Sequence, residues 1–156
     1  MYNYYLLRKV ICLNIQLLNG NTTPIKRQTA GAAGFDISAH LDDDGYVTIQ
    51  PGETKIIKSG VAIALPQKTV GLIYVRSSIG IKRNLCLANG TGVIDEDYRG
   101  ELLIALHNFG KTEQVILNGE RIAQLVITNY IDEDINIVDE LDDTERGTGG
   151  IGSTGQ

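Results

Sequence analysis

The sequence predicts an all-β sandwich or barrel that carries one short helix. Three observations lead there. Glycine is abundant, 18 residues against three prolines, and it recurs at short intervals from Gly45 to Gly119. Short runs rich in β-branched residues lie between those glycines. No long stretch keeps the apolar period of an amphipathic helix.

The elements follow in chain order. Tyr46–Gln50 (YVTIQ) and Thr54–Lys58 (TKIIK) read as strands separated at Gly52. Val61–Leu65 (VAIAL) follows Gly60, and Val61, Ile63 and Leu65 alternate with two alanines, so the two-residue period sets them on one face. Val70–Val75 (VGLIYV) is the next strand. Ser77–Asn84 (SSIGIKRN) is the candidate helix, with serine available as its N-cap. Asn89-Gly90 is a strong hairpin signal. After it, Val93-Ile94 reads as a buried pair that runs into Asp95-Glu96-Asp97. Glu101–His107 (ELLIALH) puts Leu102, Ile104 and Leu106 on one face, and Gln114–Leu117 and Ile122–Ile127 complete the set. No internal repeat is evident.

With 156 residues and 17.0 kDa, the chain is the length of one domain. A chain of this length buries roughly 70% of its unfolded surface and needs no staples. Hydrophobic residues at 42% and charged residues at 21% exclude disorder over most of the length. No run reaches the ~20 apolar residues of a membrane helix, so no membrane association is expected. Arg8 and Lys9 come after the first apolar residues, the reverse of a secretory signal. Cys12 and Cys86 are too few for a disulfide framework or a zinc cluster, and free thiols fit a reducing compartment. The net charge of −5 argues against nucleic-acid binding. Eight of the 19 acidic residues lie between Asp132 and Glu145, which reads as a solvated acidic face.

Several motif look-alikes fail. Gly147, Gly149 and Gly152 match the dinucleotide spacing but lack the following helix and distant acid. Gly110-Lys111-Thr112 resembles the end of a phosphate loop, but Ala105 stands where its first glycine belongs. His40 and His107 lack metal-ligand spacing, and Ser77-Ser78 lacks the context of a serine nucleophile. Asn89–Gly100 (NGTGVIDEDYRG) stays open between two readings. Three acids at a strand end form a solvated turn, or Asp95 is a fixed carboxylate that orients and deprotonates a water, with Tyr98 walling a small pocket.

Five segments in order resemble the five motifs of the trimeric dUTPase family. They are Ala33–Ala39 (AGFDISA), Val75–Leu85 (VRSSIGIKRNL), Asn89–Gly100 running on through Asn108, Gly119–Val126 (GERIAQLV) and Arg146–Gly155 (RGTGGIGSTG). The resemblance implies a jelly-roll-like homotrimer that hydrolyses dUTP to dUMP and pyrophosphate, with Mg²⁺ on the triphosphate. That reaction limits dUTP and supplies dUMP for thymidylate synthesis. It also implies three regions: an N-terminal extension over 1–12, a β domain over 13–145, and a flexible glycine-rich tail over 146–156 that closes over the site. The cytoplasm is the expected compartment, or also the nucleus if the source is eukaryotic or viral.

The resemblance assigns roles by residue. Asp95 is the base for water attack on the α-phosphorus. Asn89, Gly92, Val93 and Ile94 belong to the hairpin that reads uracil, and Tyr98 packs on the deoxyribose and excludes a 2′-hydroxyl. Arg76, Ser77 and Ser78 contact phosphates, joined by free N–H groups if Ser77–Asn84 is helical. Gln124 bonds a phosphate, Asp36 lies near the metal through water, and Arg146 reaches the γ-phosphate. The site is shared among subunits. The chain departs from the family pattern at Ile151, where an aromatic residue stacks over the base. Two alternatives remain: a dCTP deaminase of the same fold, which Tyr98 in its DYRG setting opposes, and a non-catalytic nucleotide-binding trimer with a partner role, which intact Asp95, Tyr98 and Arg146 oppose.

Overall fold

In a computed structural model, residues 12–42 and 45–151 are described. Among them are ten strands and one helix. The strands are β1 (Asn14–Leu17), β2 (Phe35–Ser38), β3 (Tyr46–Ile49), β4 (Thr54–Ala64), β5 (Thr69–Val75), β6 (Leu85–Leu87), β7 (Gly92–Ile94), β8 (Glu101–Asn108), β9 (Gln114–Leu117) and β10 (Arg121–Asn129). Helix α1 spans Ser77–Arg83. One sheet has the order β1-β4-β8-β6 and another β2-β10-β5-β7, while β3 pairs with β9 alone. Every strand pair is antiparallel. This is the all-β architecture with one short helix that the strand pattern predicts, and it fits the jelly-roll-like fold that the resemblance implies.

The core forms where the alternating faces meet. In β8, Leu102, Ile104 and Leu106 are fully buried, as their period predicts. Ile37, Ile49, Ile57, Ile116, Ile122 and Leu125 bring the other strands to the same cluster. Each such side chain contributes roughly 1.5–3 kcal/mol by leaving water. Asn108 continues the buried row of β8, with its amide donating to the carbonyls of Ile49 and Thr112 and accepting from the Gly110 N–H.

Four local expectations need correction. Thr54–Lys58 and Val61–Ala64 are one strand, with Leu65 just beyond its end, because Gly60 makes a bulge instead of a turn, and the register with β8 shifts between Lys58 and Ala62. Gly60 has φ +69°, and a Cβ there would lie 2.4 Å from Thr22 Oγ1, so glycine lets the strand kink and continue. Asn89-Gly90 does turn the chain, through N–H bonds from Gly90 to the Leu87 carbonyl and from Thr91 to the Asn89 carbonyl. It nevertheless joins β6 and β7, which lie in different sheets, so it closes no hairpin. Val93-Ile94 is not a buried pair, since β7 is a sheet edge: Val93 is 60% exposed and only Ile94 packs against the core. Finally, serine does not cap α1. The N-cap is Arg76, without a side-chain cap bond, and Ser77 is already helical. The C-terminus is as the chemistry favours, with Asn84 in the left-handed conformation and Lys82 and Arg83 in the last turn.

Candidate active site

Two groups of the singled-out residues sit at opposite ends of the sheet β2-β10-β5-β7. The first group gathers where β5 runs into α1. There Asp36, Arg76, Ser77 and Gln124 line one cavity of about 380 Å³. The strands set them side by side: Gln124 faces Asp36 across the β10–β2 ladder and Tyr74 across the β10–β5 ladder, two residues before Arg76. Gly34 lets the Gln124 amide approach, since a Cβ there would lie 3.0 Å from its Oε1. The Asp36 carboxylate is largely enclosed and takes Arg121 Nη1 at 2.9 Å and Arg76 Nε at 3.4 Å. Arg76 Nη1 also donates to the Arg121 carbonyl at 3.2 Å. Two guanidiniums, a hydroxyl and an amide around one carboxylate leave a net positive, donor-rich cradle suited to a polyanion.

Arg121 is a member that the sequence reading passed over. Its signal was its place beside Gln124 in GERIAQLV, but only the folded structure, in which it lies across from Ser38 and its guanidinium reaches back to Asp36, shows the contact. Ser78 does not line the cradle and instead borders a smaller cavity of about 200 Å³ with Ser77, Ile81 and Lys82. The N–H groups of Ile79 and Gly80 both donate to the Arg76 carbonyl, so only the first two helical N–H groups are available to a ligand.

The second group lies where β7 ends. The β7–β5 register pairs Gly92 with Ile73 and Ile94 with Gly71, so the next residue, Asp95, comes beside Val70 near the start of β5. Val70 and Arg76 are six residues apart along extended chain, which is ~20 Å at a strand's rise. Asp95 is exposed, and among the described residues its carboxylate has no hydrogen-bond or ion-pair partner. It borders a cavity of about 560 Å³ together with Thr69, Val70 and Tyr130. Tyr98 does not wall that cavity. Its hydroxyl donates to the Glu101 carbonyl at 2.9 Å, and its ring lies over Gly100, where a Cβ would come within 2.4 Å of the phenol oxygen. Asn89 is exposed in the turn before β7.

Arg146 meets neither group within the chain. Its Nε donates to the Gly149 carbonyl at 3.0 Å, and the Gly149 N–H returns to the Arg146 carbonyl. Ile151 is fully exposed. The remainder of the expected tail, 152–156, and nearly all of the expected N-terminal extension lie outside the described residues.

Residues 21–155 match the family described as dUTPase. The chain belongs to the dUTPase family. It is 48% identical over 128 residues to the deoxyuridine 5'-triphosphate nucleotidohydrolase of Desulfitobacterium hafniense, a match covering 81% of this chain and 83% of that protein. Its structure is similar to the Staphylococcus bacteriophage 80alpha dUTPase with dUPNHPP, with a TM-score of 0.84 and 30% identity over 93% of this chain and 99% of that one. It also resembles a mutant dUTPase from phage phi11 of S. aureus, described as coordinating a structural Mg(II) ion, at a TM-score of 0.76 and 26% identity over 85% and 99% of the two chains. In this dUTPase chain, no three His, Cys, Asp or Glu side chains converge as metal ligands among the described residues. No helix among them is long and apolar enough to cross a membrane.

Proposed function

We propose that the chain hydrolyses dUTP to dUMP and pyrophosphate as a homotrimer, with Mg²⁺ carried on the triphosphate. The observation that carries this reading is the division of the site: a donor-rich polyanion cradle at one end of a sheet, and an unpartnered carboxylate ~20 Å away at the other. A phosphate in the cradle is out of reach of Asp95 on the same chain. A second subunit must present its Asp95 there, and a third can supply Arg146.

The surface after β10 supports assembly. Ile131, Ile135, Ile137 and Leu141 share one parity, as side chains on one face of an extended segment do, and each is at least 82% exposed. A row of large apolar side chains left in water marks an interaction surface.

In this reading, Arg76, Ser77 and Gln124 hold the phosphates, with Ser78 at their margin. Asn89 and the backbone of Gly92, Val93 and Ile94 read the uracil edge, and Tyr98 covers the sugar. Arg146 and Ile151 come with the tail over the nucleotide. Asp95 accepts the proton of the attacking water. The protein offers one carboxylate in the cradle, already bound to two guanidiniums, which cannot cage Mg²⁺ alone. That donor set fits a cation held by phosphate oxygens and water, with Asp36 bonding the water. When bound, Mg²⁺ neutralises charge on the phosphates. Both cysteines are free, which suits a reducing compartment such as the cytoplasm.

The test is pyrophosphate release from dUTP, UTP, dCTP and dTTP in parallel with Mg²⁺, and only dUTP should give substantial turnover. Ammonia release from dCTP would replace this reading with the deaminase. Sugar choice gives a second test. An apolar site rejects an added hydroxyl by about 10²-fold, so Tyr98→Ala should erode UTP exclusion on that order. An unchanged ratio of UTP to dUTP turnover would remove Tyr98 from sugar selection.

A further inference from the structure

Asp95 has no side-chain partner, yet its surroundings are pinned. The β7–β5 ladder ends at Ile94 and Gly71, and β7 leaves the sheet. The start of β5 would then present a bare N–H at Lys68. The Glu96 carboxylate accepts that N–H through Oε2, taking the place a strand backbone would fill. Lys68 is itself fixed. It sits in the left-handed conformation at φ 58°, and its carbonyl accepts the Tyr130 N–H at 3.4 Å, which carries the β5–β10 pairing one step past its last register pair.

Further groups gather around the same residue. Tyr130 lines the same cavity as Glu96, and its phenol pKa is raised by desolvation first and then by the charge of Glu96. Arg99 Nη1 donates to the Glu96 carbonyl at 2.7 Å and to the Tyr98 carbonyl at 2.8 Å. Asp95 therefore stands between the last ladder pair on one side and, on the other, a Glu96 held at its carboxylate by the Lys68 N–H and at its carbonyl by Arg99. Three consecutive carboxylates in water would repel one another and splay. Turning the middle one onto the Lys68 N–H draws it away from Asp95 and pins the backbone that carries Asp95.

We propose that Glu96 is a positioning residue: its carboxylate, clamped by the Lys68 N–H, fixes the direction in which Asp95 meets the attacking water. The proposal rests on the reading of Asp95 as the base. None of the phosphate-cradle residues touches the clamp, so the clamp should influence chemistry and not substrate capture.

The experiment measures kcat and KM for dUTP in the assembled protein, for Glu96→Ala, Glu96→Asp and Glu96→Gln, each also on an Asp95→Asn background. Misplacing a reacting group by about 1 Å costs up to ~10²-fold, so Glu96→Ala should lower kcat by ~10- to 100-fold with KM nearly unchanged. Glu96→Gln should recover most of it, because the amide oxygen still accepts the Lys68 N–H. Glu96→Asp keeps the charge but falls one methylene short, so its kcat should also fall, and it serves if the alanine variant does not fold. On the Asp95→Asn background these losses should vanish, as they do for residues acting through one another. Unchanged kcat in both Glu96→Ala and Glu96→Asp, beside an inactive Asp95→Asn, overturns the clamp and leaves the base intact. A Glu96 loss that persists on the Asp95→Asn background also overturns it. Near-normal turnover by Asp95→Asn alone overturns the base itself, so the two failures are distinct.

Discussion

Asp95→Asn should bind dUTP normally and turn it over ~10²–10⁴-fold more slowly, the usual contribution of a general base. The amide keeps the shape of the carboxylate and can still orient a water, but it cannot take the proton. Because the Asp95 carboxylate makes no hydrogen bond or ion pair among the described residues, the substitution breaks no structural contact. Stability should therefore be unchanged, and a thermal melt recorded beside the assay separates lost chemistry from lost fold. Turnover within a few-fold of wild type would remove Asp95 from the reaction.

Truncation before Arg146 should be comparably severe. An arginine that stabilises charge on transferring phosphoryl groups is worth ~10³–10⁵-fold, and the truncation removes it together with the cover over the nucleotide. The more telling experiment mixes the truncated chain with Asp95→Asn. Each is nearly inactive alone. If base, cradle and tail come from three different chains of a cyclic trimer, every mixed trimer holds one intact site, and equal mixing should restore about a quarter of wild-type activity. If base and tail belong to the same chain, no intact site can form and activity stays at the level of the parents. Subunit exchange is verified independently by mass.

The strands were legible wherever alternation ran long enough. Leu102, Ile104 and Leu106 announced both the existence and the buried face of β8. β1, β2 and β6 are three or four residues each, too short for period two to rise above chance. Gly60 misled because glycine marks bulges as well as turns. What decides between them is Thr22, nearly forty residues earlier, whose side chain occupies the space a Cβ would need. The pairing of β7 with β5, and not β6, depends on long-range sheet order that no local signal at Asn89-Gly90 records.

The site divides the same way. Neither composition nor spacing could tell Gln124 from an outward-facing strand residue or Asp36 from a turn acid. Only the resemblance of whole segments singled them out, and only the β10–β2 register brings them into one cavity. The contact of Arg121 with Asp36 and that of Glu96 with Lys68 were invisible for a related reason. Each joins residues at least 28 positions apart, and neither partner carries a motif that names the other.

The length of β5 has a further consequence. Six residues of extended chain set the phosphate cradle and Asp95 ~20 Å apart on one subunit. With Asp95 brought to the cradle by a neighbouring chain, as proposed, catalysis is a property of the population of chains and not of the single molecule. On dilution below the dissociation constant of the proposed assembly, specific activity should fall by mass action while each subunit keeps its fold. Abundance of the chain would then set the rate twice: once through the number of sites, and once through the fraction of subunits that have found their neighbours.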